Sequence, residues 1–72
     1  MPELPVISGK EMVLVLEKLG YEMKRRRGSH MMMRKTGKLI VVPNHKELRR
    51  GTLRNILREA DLTVEELLEL LR

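Results

Sequence analysis

Two glycine-containing turns divide the middle of this 72-residue chain, and they constrain its fold more than any other feature. They are Gly28-Ser29 and Thr36-Gly37-Lys38. Turn residues at this spacing predict three short strands, over Tyr21–Arg27, His30–Lys35 and Leu39–Val42, with Pro43 ending the third. The short connection between the second and third strands favours an antiparallel hairpin.

Apolar residues at helical spacing precede this β-rich segment. Ser8 and Glu11 have the spacing of a capping box, and the stripe of Met12, Val15, Leu16 and Leu19 follows them. Gly20 suits the position just after a helix, where the backbone adopts a left-handed conformation and the helix ends. We therefore expect a first helix between Ser8 and Gly20.

Two further helical stripes follow the strands. The first starts after Gly51-Thr52 and the second after Thr63, where Glu66 completes another capping box; the Ala60-Asp61-Leu62 junction separates them. Three helices with one apolar stripe each can share one face of a three-stranded antiparallel sheet. The prediction is an α+β fold in the order α-β-β-β-α with an extra short C-terminal helix, in one domain over residues 1–72.

Composition limits the class of protein. Cysteine is absent, which excludes disulfides and thiolate metal sites and favours a reducing, cytoplasmic setting. No apolar run is long enough to cross a bilayer, so no membrane association is expected. Tyr21 is the only aromatic residue, so the chain lacks the stacking platforms of most sequence-reading RNA modules.

Positive charge is concentrated in the middle of the chain. Residues 20–38 carry a net charge of +6, whereas residues 59–72 carry −4. Such a run is either a solvated surface or a face that binds a polyanion, and its density favours the polyanion. The predicted RNA contacts are Lys24, Arg25, Arg27, Ser29, Arg34 and Lys35.

His30 and His45 are the two side chains whose type changes charge near neutral pH. Neither has the spaced partners of a metal site, so no metal or other cofactor is expected. RNA cleavage suits this inventory, because the 2′-hydroxyl is an internal nucleophile and the protein supplies mainly proton transfer and charge stabilisation. His30 lies among basic residues and is the candidate catalytic group. The alternative is a structural histidine.

Gly51 and Thr52 open the predicted second helix, close to Arg49, Arg50 and Arg54. Backbone amides at a helix start can bind phosphate. A glycine there more often serves backbone geometry, so Gly51, Thr52 and His45 remain open between a structural role and RNA contact.

Three groups of residues together resemble the HicA toxin family. They are Gly28-Ser29-His30, Val42-Pro43-Asn44-His45, and Gly51-Thr52-Leu53 followed by Ile56-Leu57 and Ala60. Gly9-Lys10-Glu11 and Leu19-Gly20-Tyr21 also fit, so the resemblance covers almost the whole chain. Asp61 departs from it, because glycine is common there in the family.

The resemblance implies a double-stranded-RNA-binding-domain-like fold and messenger-RNA cleavage without a metal. It also implies neutralisation by a partner antitoxin, HicB. The family's functional histidine falls on His30, and His45 matches a recurring family histidine.

Three functional hypotheses follow. The first is an RNA-cleaving toxin of a type II toxin–antitoxin system. The second is a non-catalytic double-stranded-RNA-binding module, and the third is a domain whose basic face binds an acidic protein. The first hypothesis alone gives Gly28-Ser29-His30 a chemical role.

Overall fold

The computed structural model describes residues 3–72 and has the predicted order of elements. In chain order they are α1 (Gly9–Lys18), β1 (Glu22–Arg27), β2 (His30–Lys35), β3 (Lys38–Pro43), α2 (Arg50–Glu59) and α3 (Val64–Leu70). The strands form an antiparallel sheet in the order β1-β2-β3. This confirms the α+β, double-stranded-RNA-binding-domain-like fold. None of the helices within residues 3–72 is long and apolar enough to span a membrane.

Both predicted capping boxes are present. Ser8 Oγ accepts a hydrogen bond from the Glu11 N–H at 3.0 Å, and Glu11 Oε1 accepts one from the Ser8 N–H at 2.9 Å. Thr63 and Glu66 make the same reciprocal pair at the start of α3. Each box satisfies two amides that a helix start otherwise leaves unpaired. After α1, Gly20 has a φ of 98°, as its position predicted.

The start of α2 differs from the sequence-based prediction. The helix begins at Arg50, so Gly51 and Thr52 lie inside its first turn and not before it. Arg49 occupies the N-cap and makes no side-chain capping bond, because arginine has no oxygen to accept one. The sequence therefore offers no cap residue that marks this boundary.

The junction between α2 and α3 lies where the sequence predicted it. Asp61 adopts the left-handed region with a φ of 55°, a conformation that costs glycine nothing and aspartate little. This backbone requirement explains why glycine suits the position. Lys38 Nζ lies 3.2 Å from Asp61 Oδ2 and ties the junction to the start of β3.

The core lies between the helices and one face of the sheet. The helical stripes predict that six residues pack together against the sheet: Val15, Leu16, Leu19, Leu53, Ile56 and Leu57. Five of them are buried, and Leu19 is partly buried against them. Strands β2 and β3 each contribute alternate residues to it, and the largest fully buried side chains are Met12, Leu16, Met31, Met33, Ile40, Leu53, Ile56, Leu67, Val15 and Val42. Helix α1 contacts all three strands, α2 contacts β3, and α3 packs on α1.

The first residue of α1 packs directly on the end of β3. The Gly9 N–H donates to the His45 carbonyl at 2.9 Å. A Cβ atom on Gly9 would lie 2.0 Å from the Pro43 carbonyl oxygen, far inside van der Waals contact. This position therefore requires glycine for close approach, and the approach fixes the chain that follows β3.

Leu16→Ala is expected to lower the free energy of unfolding by about 2–5 kcal/mol, because Leu16 is fully buried and truncation leaves a cavity. Leu14→Ala is the matched control on the same helix, since Leu14 is 59% exposed, and it is expected to change stability by less than about 0.5 kcal/mol. Urea denaturation measures both. Equal effects of the two substitutions would show that the buried stripe of α1 is assigned wrongly.

Two glycine-to-alanine substitutions are expected to have opposite signs. Gly9→Ala forces Pro43 to move and is expected to cost about 1–3 kcal/mol. Gly51→Ala meets open space at a helical backbone and is expected to stabilise the protein by about 0.4–1 kcal/mol. Thermal unfolding followed by circular dichroism compares them. A Gly9→Ala protein as stable as the parent would contradict the close packing of α1 on β3.

Candidate nucleic-acid interface

Alternation along β2 sends its side chains to two different faces of the sheet. Met31 and Met33 are buried beneath the helices. His30, Met32 and Arg34 therefore lie on the opposite face, which none of the helices within residues 3–72 covers. We call this surface the outer face. The face on which His30 lies, which the sequence left open, is thus the exposed one.

Strand pairing places Arg27 and Pro43 on either side of His30. Arg27 is the register partner of His30 in β1, and Pro43 is its partner in β3. Neighbouring strands lie about 4.8 Å apart. Arg27, His30 and Pro43 therefore form a row across one end of the outer face.

A β-bulge brings additional positive charge to the same face. The register shifts between Met23 and Arg25, so Lys24 is an extra residue without its own partner in β2. Bulges of this kind redirect a side chain. A shallow hollow of about 330 Å³ lies here, and its lining includes the cations Lys24, Arg25, Arg34 and Lys38 together with Met32 and Leu39.

Four cations of the outer face form no ion pair with a carboxylate in the part of the chain that the structure describes. Within residues 3–72 the ion pairs are Lys38–Asp61 and Arg72–Glu69. Lys24, Arg25, Arg27 and Arg34 belong to neither pair. One acidic residue shares the face, because Glu22 is the register partner of Arg34. The outer face is therefore a cationic surface suited to a polyanion.

A hydrogen bond from the residue after β3 holds the turn that precedes His30. Gly28 has a φ of 58°, so the two-residue turn uses the left-handed freedom of glycine. The Asn44 N–H donates to the Ser29 carbonyl at 2.6 Å. His30 is exposed, and within residues 3–72 its imidazole makes no hydrogen bond. A fixed backbone thus presents an imidazole that is available to a ligand.

Not all predicted contact residues meet at this surface. Lys35 lies on the helix side of the sheet, where its Nζ donates to the Leu19 carbonyl at 2.7 Å and lies 5.6 Å from the centre of the Tyr21 ring. His45 is exposed, and its carbonyl fastens the loop to Gly9. Thr52 faces β3 beside Pro43, whereas Gly51 is exposed.

Pro43 and Asn44 adjoin His30 on this surface, although they were not among the predicted contacts. Pro43 joins it through strand pairing, and Asn44 joins it through its hydrogen bond to Ser29. Lys38 touches the hollow, but its Nζ is directed to Glu59 and Asp61. A signal for Pro43 was present in the sequence. A two-residue turn at Thr36-Gly37 pairs Lys35 with Lys38, and counting outward from that pair places Pro43 opposite His30. Within residues 3–72, no three His, Asp or Glu side chains lie close enough to hold a metal ion.

The fold and this surface define a small α+β protein with a double-stranded-RNA-binding-domain-like topology and an uncovered cationic sheet face. Comparison with protein families identifies it further. Residues 9–62 match the family model described as HicA toxin of bacterial toxin-antitoxin. The match covers well over half of the chain, and the chain therefore belongs to the HicA toxin family. No curated protein matches the chain significantly.

Membership of this family carries a general consequence. The chain belongs with toxins of bacterial toxin–antitoxin systems, and a toxin of such a system has an antitoxin partner.

If the outer face binds phosphates, binding of single-stranded RNA is expected to weaken steeply with salt. The slope of log K against log salt is about −0.7 for each neutralised phosphate. Replacing both Arg25 and Arg27 with Gln is expected to reduce the slope by about 1.4, because two contacts are lost. Fluorescence anisotropy with labelled RNA at several salt concentrations measures it.

The matched control removes two positive charges elsewhere. Lys18 and Arg72 lie on α1 and just beyond α3, away from the outer face. Lys18→Gln with Arg72→Gln is expected to leave the slope almost unchanged. Equal reductions in the two double variants would show that net charge alone drives binding.

Proposed function

We propose that this toxin is a metal-independent endoribonuclease that cuts messenger RNA in the cytoplasm, with His30 as its catalytic residue, and that the chain acts as one domain. The observation that supports this most is the row of Arg27, His30 and Pro43 on the exposed, cationic outer face. There the imidazole, which makes no hydrogen bond within residues 3–72, occupies the strand position paired with Arg27 on a fixed backbone. Membership of the HicA toxin family supports the same reading.

The proposed reaction uses the 2′-hydroxyl of the RNA as the nucleophile. His30 accepts the proton of that hydroxyl while the 2′-oxygen forms a bond to the adjacent phosphorus. The bond from phosphorus to the 5′-oxygen of the next nucleotide then breaks, and that oxygen takes a proton from water. The resulting hydroxide takes the proton held on His30, which restores the neutral imidazole. The products are a 2′,3′-cyclic phosphate and a 5′-hydroxyl. No redox partner is required.

The cations on the outer face have separate tasks in this proposal. Arg27 is the cross-strand partner of His30, so its guanidinium can donate to the phosphate oxygens as negative charge develops on them. The hollow lined by Lys24, Arg25 and Arg34 lies further along the sheet and binds the flanking phosphates. Ser29 shares the turn before His30 and lies beside the reacting phosphate. Lys35 is on the other side of the sheet and has no part in this mechanism.

We propose that a HicB-like antitoxin inhibits the toxin by covering the outer face. This surface includes Leu39 and Val41, which are 55% and 40% exposed. Apolar side chains beside unpaired cations suit a protein partner that supplies apolar contacts and carboxylates. Such a partner would occupy the same area as RNA.

A non-catalytic double-stranded-RNA-binding module is the second candidate, and the fold itself favours it. In such a module the cationic face binds phosphates and His30 has no chemical role. The two candidates predict the same salt dependence of binding. They differ in whether RNA is cut.

His30→Ala is expected to abolish RNA cleavage, by at least about 100-fold as for loss of a general base, while the free energy of unfolding and most RNA affinity are retained. The residue is exposed, so truncation removes no core packing. His45→Ala is the matched control and is expected to have much the smaller effect on cleavage. Gel analysis of a labelled RNA after incubation with purified protein measures the rate.

A 2′-deoxy substitution at the cut site tests the nucleophile. The natural protein is expected to leave such a substrate intact, because the attacking hydroxyl is missing. Normal cutting by His30→Ala would refute the assigned residue. Cutting of the 2′-deoxy substrate would refute the internal nucleophile, and absence of cutting by the natural protein would favour the binding module.

A further inference from the structure

A second depression lies at the open edge of β3 and has no role in the mechanism above. It is a groove of about 400 Å³ between β3 and α2. Val41 and Pro43 form its wall on the sheet, and Thr52, Asn55 and Arg58 face them from α2. We call this depression the edge groove.

The edge groove adjoins the row that contains His30. Pro43 is the register partner of His30 and also lines the groove, so one side chain separates the two. Val41 and Pro43 alternate with the buried Val42, which places their side chains on the outer face. The groove therefore opens onto the surface that carries the imidazole.

Helix α2 runs antiparallel to β3 along the edge groove. Lys38 Nζ donates to the Glu59 carbonyl at 3.2 Å, so the end of α2 lies beside the start of β3. Thr52, in the first turn, consequently lies toward Pro43 and His30. The carboxylate of Glu59, which also lines the groove, lies at the far end. Negative charge in the groove is thus kept away from His30.

The chemical lining of the edge groove suits one nucleobase and not a phosphate alone. Val41, which is 40% exposed, and Pro43 give apolar surface for a base. The Asn55 amide can both donate and accept, as the edge of a base requires. Arg58 Nη1 donates to Asn55 Oδ1 at 3.4 Å and orients that amide. Because β3 is an edge strand, it also has backbone groups that no other strand within residues 3–72 satisfies.

We propose that the edge groove binds the nucleotide next to the scissile phosphate and that Asn55 selects its base. This proposal rests on the proposed function, because it takes RNA as the ligand of the His30 site. It gives a chain without aromatic platforms a means of base selection through a side-chain amide. Arg58 holds the amide in place and contributes positive charge for the backbone of the same nucleotide.

The first experiment measures which bases flank the cut. A randomised RNA pool is incubated with the natural protein, with Asn55→Leu and with Arg54→Gln, and the cleaved ends are sequenced. The natural protein is expected to prefer one base at one position beside the cut by roughly tenfold, as one good amide-to-base pair provides. Asn55→Leu is expected to remove that preference while still cutting. Arg54 is exposed on α2 outside the groove, so Arg54→Gln is expected to keep it.

The second experiment does not depend on cleavage. The ¹⁵N-labelled natural protein is titrated with each of the four nucleoside 3′-monophosphates. One base is expected to shift the Asn55 side-chain amide resonance at a roughly tenfold lower concentration than the others. Asn55→Leu, followed through the backbone amides of Val41 and Thr52, is expected to bind all four alike.

The outcomes separate this proposal from the one on which it rests. Base-selective shifts in the edge groove without any RNA cutting would overturn the proposed nuclease activity and support base binding in the edge groove. If Asn55→Leu cuts RNA with an unchanged base preference, base selection by Asn55 is overturned and the proposed nuclease activity is supported. Shifts confined to residues outside the groove, or equal for the four bases, would also overturn that base selection.

Discussion

Burial of Met31 and Met33 beneath the helices fixes the register of β2, and the exposed surface of the protein depends on that register. Both methionines are essentially inaccessible to solvent. A slip by one residue would turn every side chain of the strand to the other face and bury His30 and Arg34. Burial of unpaired polar groups costs several kcal/mol, so the core opposes such a slip strongly. The position of the imidazole is therefore a consequence of hydrophobic packing on the opposite side of the sheet.

The distribution of charge reflects two different demands on the chain. Helices α1 and α3 begin with capping boxes and acidic first turns, which suit the positive end of a helix dipole. Strand β1 instead carries Lys24, Arg25, Arg26 and Arg27 in succession, with every residue exposed. Clustered like charges do not stabilise a sheet. A local arrangement that opposes stability is typical of a surface kept for binding. Arg25 and Arg27 of this run lie on the outer face, whereas Arg26 is the register partner of the buried Met31.

Much of the fold could be predicted from sequence because its signals are local. Ser8 with Glu11, and Thr63 with Glu66, mark helix starts through hydrogen bonds between near neighbours. The face on which His30 lies could not be predicted in this way. Met31-Met32-Met33 is apolar at three successive positions, so a period of two residues does not distinguish the buried pair from the exposed residue.

The parts of the candidate site that escaped prediction depend on contacts distant in sequence. The closeness of Gly9 to Pro43 follows from how α1 lies on the sheet. The separation of Lys35 from the outer face follows from alternation along β2, because Lys35 lies on the same side of the strand as the buried Met31 and Met33. The pairing of Arg27 with His30, by contrast, follows from a two-residue turn and was within reach of the sequence. Asn55 shares a groove with Pro43 only because α2 runs back along β3.

If RNA and an antitoxin both bind this side of the protein, as proposed, they compete for it. A ligand that occupies the site inhibits the toxin without any change in the toxin's shape. The fraction of toxin that is free would then depend on the ratio of the antitoxin concentration to the dissociation constant of the toxin–antitoxin complex.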